Sequence, residues 1–213
     1  MGIVTLRLHW LPGSAAMAPH AALAEIGVEY ELVRVERDES GRGTDAYLRL
    51  NPSGRVPTLE DGELVVTESA AILLHLADRF PEAGLIPPVG SDERTELYTW
   101  LVYLTNTVQP TMMRFFYPER YGDDNVRDVA AGAAQTEFAR IDQRLADREW
   151  VVGSSRSVAD LFLFMVTRFG RRLEPPAWDS PNLRRHALRT FRLPGVRRMM
   201  EEQDIELPPF ADD

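Results

Sequence analysis

Residues 51–80 constrain the fold of this chain more than any other stretch. They begin with N-P-S-G, which is typical of a tight turn, and continue with the short apolar run V-P-T-L. Asp61-Gly62 is a hairpin signal, and a second apolar run extends from Leu64 to Val66. Thr67 is a candidate helix cap, and apolar residues then recur at helical spacing, at Ile72, Leu73, Leu76 and Phe80. The sequence therefore predicts two antiparallel strands followed at once by a helix.

Two details of this stretch point beyond a generic hairpin. Pro57 interrupts a strand-like run, so it must lie at a strand start, a bulge or a tight bend, where a cis peptide bond would fit. Glu68 and Ser69 stand at the predicted helix start, where backbone N–H groups and a hydroxyl could hold a carboxylate while the acidic side chain binds an ammonium. Such a pair would suit an amino-acid zwitterion. The alternative is that both residues only cap the helix.

The residues before this stretch complete a mixed α/β domain. Val4 to Trp10 reads as a strand, Leu11-Pro12-Gly13 breaks it, and an alanine-rich helix is expected from Ser14 to Gly27. Tyr30 to Val35 is the next strand, and the two strands of this unit should be parallel. With a brief helical turn from Asp45 to Leu50, the predicted order is β-α-β-α-β-β-α, the order of the thioredoxin-like fold.

The second half of the chain is helical in pattern. Residues 81–90 are rich in proline and glycine, so they predict a linker between a domain at 1–80 and an all-helical domain at 91–213. A long helix is expected from Glu93 to Phe116, with a kink at Pro110. Ser157 and Asp160 have capping-box spacing ahead of an apolar helix. We therefore expect Asp160 to be buried and to have a structural role.

Composition excludes several kinds of function. With 33 acidic residues against 24 basic ones and a net charge of -9, the chain should repel nucleic acid and anionic membranes. It contains no cysteine, which excludes disulfides, cysteine-ligated zinc and a thiol supplied by the protein. The four histidines show no paired spacing, so no metal site is predicted. No apolar run could cross a bilayer and no signal peptide is evident, so we expect a cytoplasmic location.

The V-P-T-L run, the D-G hairpin and the segment T-E-S-A-A-I-L-L-H-L resemble the glutathione-recognition segment of the glutathione S-transferase superfamily. The run from Leu11 to Gly27 is similar to the start of bacterial members, especially the beta class. The resemblance implies a thioredoxin-like N-terminal domain, an all-α C-terminal domain and glutathione as co-substrate. It also implies that Ser157 and Asp160 form a structural cap. It assigns glutathione binding to Val56, a cis Pro57, Glu68 and Ser69.

The chain departs from the beta class where the thiol of glutathione would lie. The cysteine of that class matches Ala15, the serine after it matches Ala16, and the upstream tyrosine matches Trp10. The remaining hydroxyl is that of Ser14. It would either favour the thiolate of bound glutathione or cap the following helix.

A pocket for the second substrate is expected beside the long helix. A histidine common in the beta class matches Gln109, and Asn106, Gln109 and Met113 recur at helical spacing. Together with Trp10 they are the predicted pocket residues. We expect the neighbouring apolar side chains to divide between the core and this pocket; they are Met112, Met113, Phe115 and Phe116.

These features lead to one principal hypothesis and two alternatives. The principal hypothesis is a cytosolic, homodimeric glutathione S-transferase-like enzyme that transfers glutathione to a small electrophile without a metal. The first alternative is a non-catalytic protein of the same fold that binds glutathione or a hydrophobic ligand. The second is a dimeric interaction module, and the intact Glu68-Ser69 pair counts against it. None of the three involves nucleic acid or a membrane.

Overall fold

The computed structural model of the chain describes residues 6–39, 41–123 and 125–209. Val4 and Thr5, the predicted start of the first strand, lie outside the described residues. The chain forms two compact units. The first contains the residues up to Ala83 together with Leu193–Leu207, and the second begins at Gly84 and extends to Arg192.

The first unit is built on a four-stranded sheet in the order β2-β1-β3-β4. The strands are β1 (Leu6–Trp10), β2 (Tyr30–Arg34), β3 (Thr58–Asp61) and β4 (Leu64–Thr67). β1 and β2 are parallel, as predicted for strands joined through a helix, whereas β3 is antiparallel to both β1 and β4. Asp61 pairs with Leu64 across a tight turn, which confirms the predicted hairpin.

Three helices alternate with these strands in the thioredoxin-like order. α1 (Met17–Ile26) follows β1, α2 (Asp45–Leu50) follows β2, and α3 (Ser69–Arg79) follows β4. Two of them begin later than predicted. α1 starts after Ala16 and not at Ser14. α3 starts after Glu68, and Thr67 is not its cap, because Thr67 still pairs with Thr58 as the last residue of β4.

The second unit is helical. It contains α4 (Asp92–Tyr103), α5 (Gln109–Phe116), α6 (Asn125–Arg144), α7 (Val158–Phe169) and α8 (Pro181–Phe191). All 12 residues of α7 are buried, so this helix forms the centre of the unit. Among the described residues, no helix has the length and apolar character that a membrane span requires.

α4 and α5 are joined by a π-helical turn at Leu104–Val108. Pro110 accounts for the position of this turn. A proline has no N–H to donate to the carbonyl of Asn106 four residues earlier, and its ring would clash with that carbonyl in a regular α-helix. The irregularity predicted at Pro110 therefore takes the form of a π turn just before the proline.

Asp160 lies in the first turn of α7 and is fully buried. Its Oδ1 accepts hydrogen bonds from the backbone N–H of Val151 and from Nε2 of His186, both at 2.8 Å. Its Oδ2 accepts from the backbone N–H of Ser157 at 2.8 Å and from the Ser157 hydroxyl at 3.0 Å. The carboxylate therefore joins the loop before α7 and the helix α8 to the start of α7.

The last helix, α9 (Pro194–Glu202), belongs to the first unit, where it packs along α1. The predicted division had instead placed all of residues 91–213 in the second domain. The two helices approach most closely at Gly195, where an added Cβ would lie 2.4 Å from the backbone nitrogen of Glu25. The Glu25 carboxylate accepts a hydrogen bond from the Gly195 N–H at 2.9 Å. Helix periodicity predicts that one face of α9 is buried, but it does not say against which domain.

A polar cluster ties α9 to α1 and β2. His20 is fully buried; its Nε2 lies 2.7 Å from Oε2 of Glu202, and its Nδ1 lies 3.0 Å from Nε2 of Gln203. Because an amide nitrogen can only donate, Nδ1 accepts, and Nε2 carries the ring proton that is donated to Glu202. The same carboxylate accepts from the Tyr30 hydroxyl and from Nε of Arg198, both at 2.8 Å.

We expect this cluster to make the protein less stable in acid. Burial lowers the pKa of His20 below its usual 6.5. Burial alone would raise the pKa of Glu202, but hydrogen bonds from Arg198, Tyr30 and His20 lower it below 4.5. Each group thus contributes stability above its usual pKa that is lost as the pH falls. Urea titrations should show an unfolding free energy that decreases below about pH 6.5, by up to about 1.4 kcal/mol per pH unit through the buried His20, with a smaller loss through the more exposed Glu202 setting in below about pH 4.5.

His20→Gln provides the control for this pH dependence, because glutamine is polar but does not titrate. Between about pH 7 and pH 5, His20 of the unfolded chain takes up a proton that burial disfavours in the folded protein, whereas Glu202 stays ionised. Over this range the variant should therefore lose less stability than the wild type. Equal slopes in the two proteins would contradict the assignment to His20.

Candidate functional site

The register of the sheet places several predicted site residues at one end of the first unit. Thr58 on β3 pairs with His9 on β1 and with Thr67 on β4. Both pairings are antiparallel, so the residue before Thr58 lies beside the residues that follow His9 and Thr67. These neighbours are Pro57, Trp10 and Glu68.

The loop before β3 carries the predicted cis proline. The Val56–Pro57 peptide bond is cis, which confirms that prediction; Pro57 is buried and Val56 is half-buried. In the part of the chain that the structure describes, neither the backbone N–H nor the C=O of Val56 has a hydrogen-bond partner. This backbone segment can therefore pair with another extended peptide, in the manner of an added strand.

Glu68 immediately precedes α3 and has an unusual backbone conformation, with φ 65° and ψ 121°. Positive φ is uncommon for a residue other than glycine. The side chain is exposed, and among the described residues its carboxylate has no hydrogen-bond or ion-pair partner. The first N–H groups of α3 are adjacent and have no partner within the helix. A free anion and a set of free donors thus lie side by side.

Ser69, the first residue of α3, is buried, and its hydroxyl donates a hydrogen bond to the carbonyl of Ala15 at 2.8 Å. This bond connects the start of α3 with the turn that follows β1. Because the hydroxyl proton is directed at Ala15, an anion bound at this helix start would receive its hydrogen bonds chiefly from backbone N–H groups.

Ser14 lies in the turn between β1 and α1. Its hydroxyl donates to the carbonyl of Leu11 at 2.7 Å and accepts from the N–H of Ala16 at 3.2 Å. The N–H of Ala16 bonds to the Ser14 hydroxyl and the N–H of Met17 bonds to the Ser14 carbonyl, so Ser14 caps the helical turn that leads into α1, as one interpretation expects, although the regular helix begins only after Ala16. To donate to a thiolate, the hydroxyl would have to leave the carbonyl of Leu11.

The residues predicted to line the second-substrate pocket are distributed between the two units. Trp10 ends β1 and is buried, and among the described residues its Nε1 has no hydrogen-bond partner. Asn106 is exposed in the π turn, and Gln109 and Met113 are half-buried on α5. The π turn also means that Asn106 and Gln109 are not separated by a regular helical turn. A common pocket for these residues stays a prediction.

The methionines and phenylalanines of α5 differ in burial, and the pocket role expected for some of them stays a prediction. Met112 is fully buried, whereas Met113, Phe115 and Phe116 are half-buried. Phe116 packs edge to face on Phe169 of α7, with ring centroids 6.1 Å apart. Met112 and Phe116 therefore belong to the core of the second unit.

Sequence reasoning missed three buried polar residues beside the Val56–Pro57 loop. They are Tyr47, Asn51 and Thr58, which are 6%, 5% and 0% exposed. The sequence pattern identifies Asn51 only as a turn residue. A useful signal was present, because Tyr47 and Asn51 are four residues apart and so lie on one face of a short helix.

The groups at this end of the sheet can together bind a zwitterionic peptide. Glu68 offers a carboxylate for an ammonium, the start of α3 offers N–H groups for a carboxylate, and Val56 offers a donor and an acceptor for a peptide bond. Among the described residues, no group of three or more histidine or acidic side chains is arranged to hold a metal ion.

Two family models match the chain. The model described as "Glutathione S-transferase, N-terminal domain" matches residues 4–78, and "Glutathione S-transferase, C-terminal domain" matches residues 103–194. Among curated proteins, "Glutathione S-transferase GstA" from Escherichia coli O157:H7 is 31% identical over 170 residues, which cover 77% of this chain and 82% of that protein.

Solved structures give the same picture. A beta-class glutathione S-transferase from Sphingomonas chungbukensis superposes with a TM-score of 0.84 at 32% identity, covering 94% of this chain and 100% of that chain. A sphingomonad glutathione S-transferase complexed with glutathione also has a TM-score of 0.84, at 31% identity and with the same coverage of 94% and 100%.

Proposed function

Since the chain belongs to the glutathione S-transferase family, we propose that it binds glutathione as a co-substrate and transfers it to a small electrophile. The observation that carries this proposal is a grouping at one end of the sheet: the Val56 backbone and the Glu68 carboxylate, both without partners among the described residues, and the N-terminus of α3. Glutathione has complementary groups in the same order: a peptide bond at the cysteinyl residue and an amino-acid zwitterion at the γ-glutamyl end.

The proposed contacts follow from charge and hydrogen-bonding capacity. Glu68 binds the γ-glutamyl ammonium, and the backbone N–H groups at Ser69 and the residues after it bind the γ-glutamyl carboxylate. The N–H and C=O of Val56 pair with the backbone of the cysteinyl residue, and Pro57 holds Val56 at the edge of the sheet. The structure of a sphingomonad relative is of its complex with glutathione, which supports this ligand.

The nucleophile of the transfer reaction is the thiolate of glutathione, since the protein has no cysteine that could supply one. The thiol loses its proton to solvent, the sulfur forms a bond to the electrophilic carbon, and a leaving group departs or a double bond takes up the electron pair. We propose that the Ser14 hydroxyl turns from the Leu11 carbonyl to donate to the thiolate and so favours the charged form. Trp10, Asn106, Gln109 and Met113 are the proposed residues of the electrophile pocket.

We further propose a homodimer in the cytoplasm. Exposed apolar side chains are present in each unit, at Leu64 and Val65 on β4 and at Tyr98 and Val102 on α4. A self-associating surface would remove such side chains from water. Size-exclusion chromatography with light scattering would measure the mass of the particle directly.

Two assays test the proposed function. Retention on immobilised glutathione, with elution by free glutathione, tests binding, and product formation with a panel of haloarenes, epoxides and unsaturated carbonyl compounds tests transfer. Retention without any conjugation would favour a non-catalytic binding protein. That alternative has specific support, since Ala15 replaces the cysteine of the beta class and the Ser14 proton is directed at Leu11. Loss of retention would exclude the transferase and the glutathione-binding protein, and would leave the hydrophobic-ligand and interaction-module hypotheses.

Ser14→Ala should reduce conjugation and leave glutathione binding nearly unchanged. A hydrogen bond to a charged group is worth about 1.5 to 3 kcal/mol, so kcat/KM for the electrophile should fall roughly 10- to 100-fold. The pKa of the bound thiol, followed by thiolate absorbance against pH, should rise by about one to two units. Ser155→Ala, at an exposed loop position of the second unit, is the control. Full activity of Ser14→Ala would show that Ser14 only closes its turn.

A further inference from the structure

The Val56–Pro57 loop needs support from outside the sheet. The pairing of β3 with β1 and β4 begins only at Thr58, so no ladder hydrogen bond fixes the preceding residues. Gly54 has φ 64°, and Val56 has no backbone partner among the described residues. A loop of this kind would sample several orientations unless side chains held it.

Tyr47 and Asn51 of the neighbouring helical turn provide this support. The carbonyl of Arg55 accepts a hydrogen bond from the Tyr47 hydroxyl and another from Nδ2 of Asn51, the latter at 2.8 Å. Nδ2 of Asn51 also lies 2.9 Å from the Thr58 hydroxyl, which in turn is 3.0 Å from that of Tyr47. Two buried side chains thus hold both ends of the segment that contains Val56 and Pro57.

The hydrogen atoms of this cluster can be assigned without ambiguity. Tyr47 has one hydroxyl proton, and it is donated to Arg55, so the proton between Tyr47 and Thr58 must come from Thr58. The two protons on Nδ2 of Asn51 go to Arg55 and Thr58. Oδ1 of Asn51 accepts from the N–H of Ser53 at 3.1 Å and from its hydroxyl at 2.8 Å. Each donor therefore has one acceptor, and the cluster has a single arrangement.

This arrangement determines where the Val56 N–H points. The Arg55 carbonyl and the Val56 N–H belong to the same planar peptide unit, which is trans, so they point in opposite directions. With the carbonyl held inward by Tyr47 and Asn51, the N–H must face away from that cluster. Rotation of this peptide would require breaking two buried hydrogen bonds at the same carbonyl.

We propose that Tyr47 and Asn51 are positioning residues for glutathione: they bind the Arg55 carbonyl and thereby orient the Val56 N–H that pairs with the cysteinyl residue. Neither side chain touches glutathione in this scheme. The inference rests on the proposed glutathione site and deepens it. It predicts that the cluster affects glutathione affinity more than it affects turnover once glutathione is bound.

Tyr47→Phe tests the proposal, because it removes one hydrogen bond to the Arg55 carbonyl and keeps the ring. The loss of such a bond should raise the Kd and the KM for glutathione roughly 3- to 10-fold, with kcat at saturating glutathione within about twofold of wild type. Tyr30→Phe is the matched control, since it also loses a hydrogen-bonded hydroxyl in the first unit, and among the described residues the hydrogen-bond and ring partners of Tyr30 are His20, Glu202 and Arg198, outside residues 51–58. Its glutathione Kd should remain at the wild-type value.

Isothermal titration calorimetry with glutathione and steady-state kinetics provide the measurements, on the full chain. An unchanged Kd in Tyr47→Phe, or an equal increase in both variants, would overturn the proposal. If Tyr47→Phe does not yield folded protein, Thr58→Val carries the same test, because it removes the neighbour that orients the Tyr47 hydroxyl; it should raise the Kd roughly twofold or more. A wild-type protein that fails to bind glutathione would instead refute the proposed function itself.

Discussion

Asp160→Ala is expected to lower the free energy of unfolding by about 3 kcal/mol or more, because it leaves several buried donors without an acceptor. The N–H groups of Val151 and Ser157 and the Nε2 of His186 all bond to this carboxylate. Each buried, unsatisfied donor costs about 1 to 3 kcal/mol, although such costs do not simply add. Urea unfolding followed by circular dichroism, with melting curves as a second probe, would measure the loss.

Two comparisons make this result interpretable. Asp160→Asn keeps the shape and one acceptor oxygen, so it should lose less stability than Asp160→Ala. Asp142→Ala removes another helix-start acceptor, one that bonds the N–H groups of Asn182 and Leu183 but is only half-buried, so a loss near 1 kcal/mol is expected there. If Asp160→Ala melts like the wild type, or is no worse than Asp142→Ala, the buried carboxylate is not the structural anchor of α7.

The features that sequence reasoning predicted correctly are those with local causes. The hairpin depends on the D-G turn and its flanking apolar runs, and the cis bond depends on a proline in a strand-like segment. The sequence predicts an irregularity at Pro110, which the structure bears out as a π turn rather than the expected kink, and it follows from the chemistry of one residue. In each case the determining interactions join residues within about five positions of one another, so a local sequence pattern is enough to predict them.

Helix starts were predicted less well, for a physical reason. Thr67 is a good capping residue, yet its backbone is bound to β3, and α3 begins only after Glu68. Ser14 likewise bonds to its own turn, and α1 begins after Ala16. At Thr67 strand pairing takes precedence over the local preference for a cap, whereas at Ser14 the cap-like hydrogen bond from Ala16 forms within the turn that leads into α1.

The packing of α9 on the first unit shows that a sequence pattern does not identify the partner of a buried helix face. Its apolar residues predict a buried face, but the partner of that face is α1, more than 160 residues earlier in the chain. The close approach depends on Gly195, whose missing side chain admits the backbone of Glu25. The sequence did not reveal the roles of Tyr47, Asn51 and Thr58 for a similar reason. Asn51 looks like an ordinary turn residue in the sequence, and only its burial in the folded protein makes it a support for the Val56–Pro57 loop.

Substitutions of Glu68 should separate an effect on glutathione affinity from an effect on protein stability. Its φ of 65° and ψ of 121° are unfavourable for any residue with a side chain, and strain of this kind costs of order 1 to 3 kcal/mol. Among the described residues, the side chain has no compensating hydrogen bond or ion pair. A strained residue whose carboxylate has no hydrogen bond or ion pair among the described residues is best explained by its proposed role, the binding of the γ-glutamyl ammonium.

We therefore expect Glu68→Gly to be more stable than Glu68→Ala, by about 1 kcal/mol, because glycine accepts positive φ while alanine retains the strain. Both variants lose the carboxylate, so both should bind glutathione roughly 10- to 100-fold more weakly than wild type, as expected for a lost charged hydrogen bond. Calorimetric titration and urea unfolding on the same preparations would give both quantities. Glu68→Gln, which keeps a hydrogen-bonding side chain without its charge, should fall between wild type and Glu68→Ala in affinity. Wild-type affinity in Glu68→Gly would remove Glu68 from the site, and a Glu68→Gly protein less stable than Glu68→Ala would show that the backbone there is not strained.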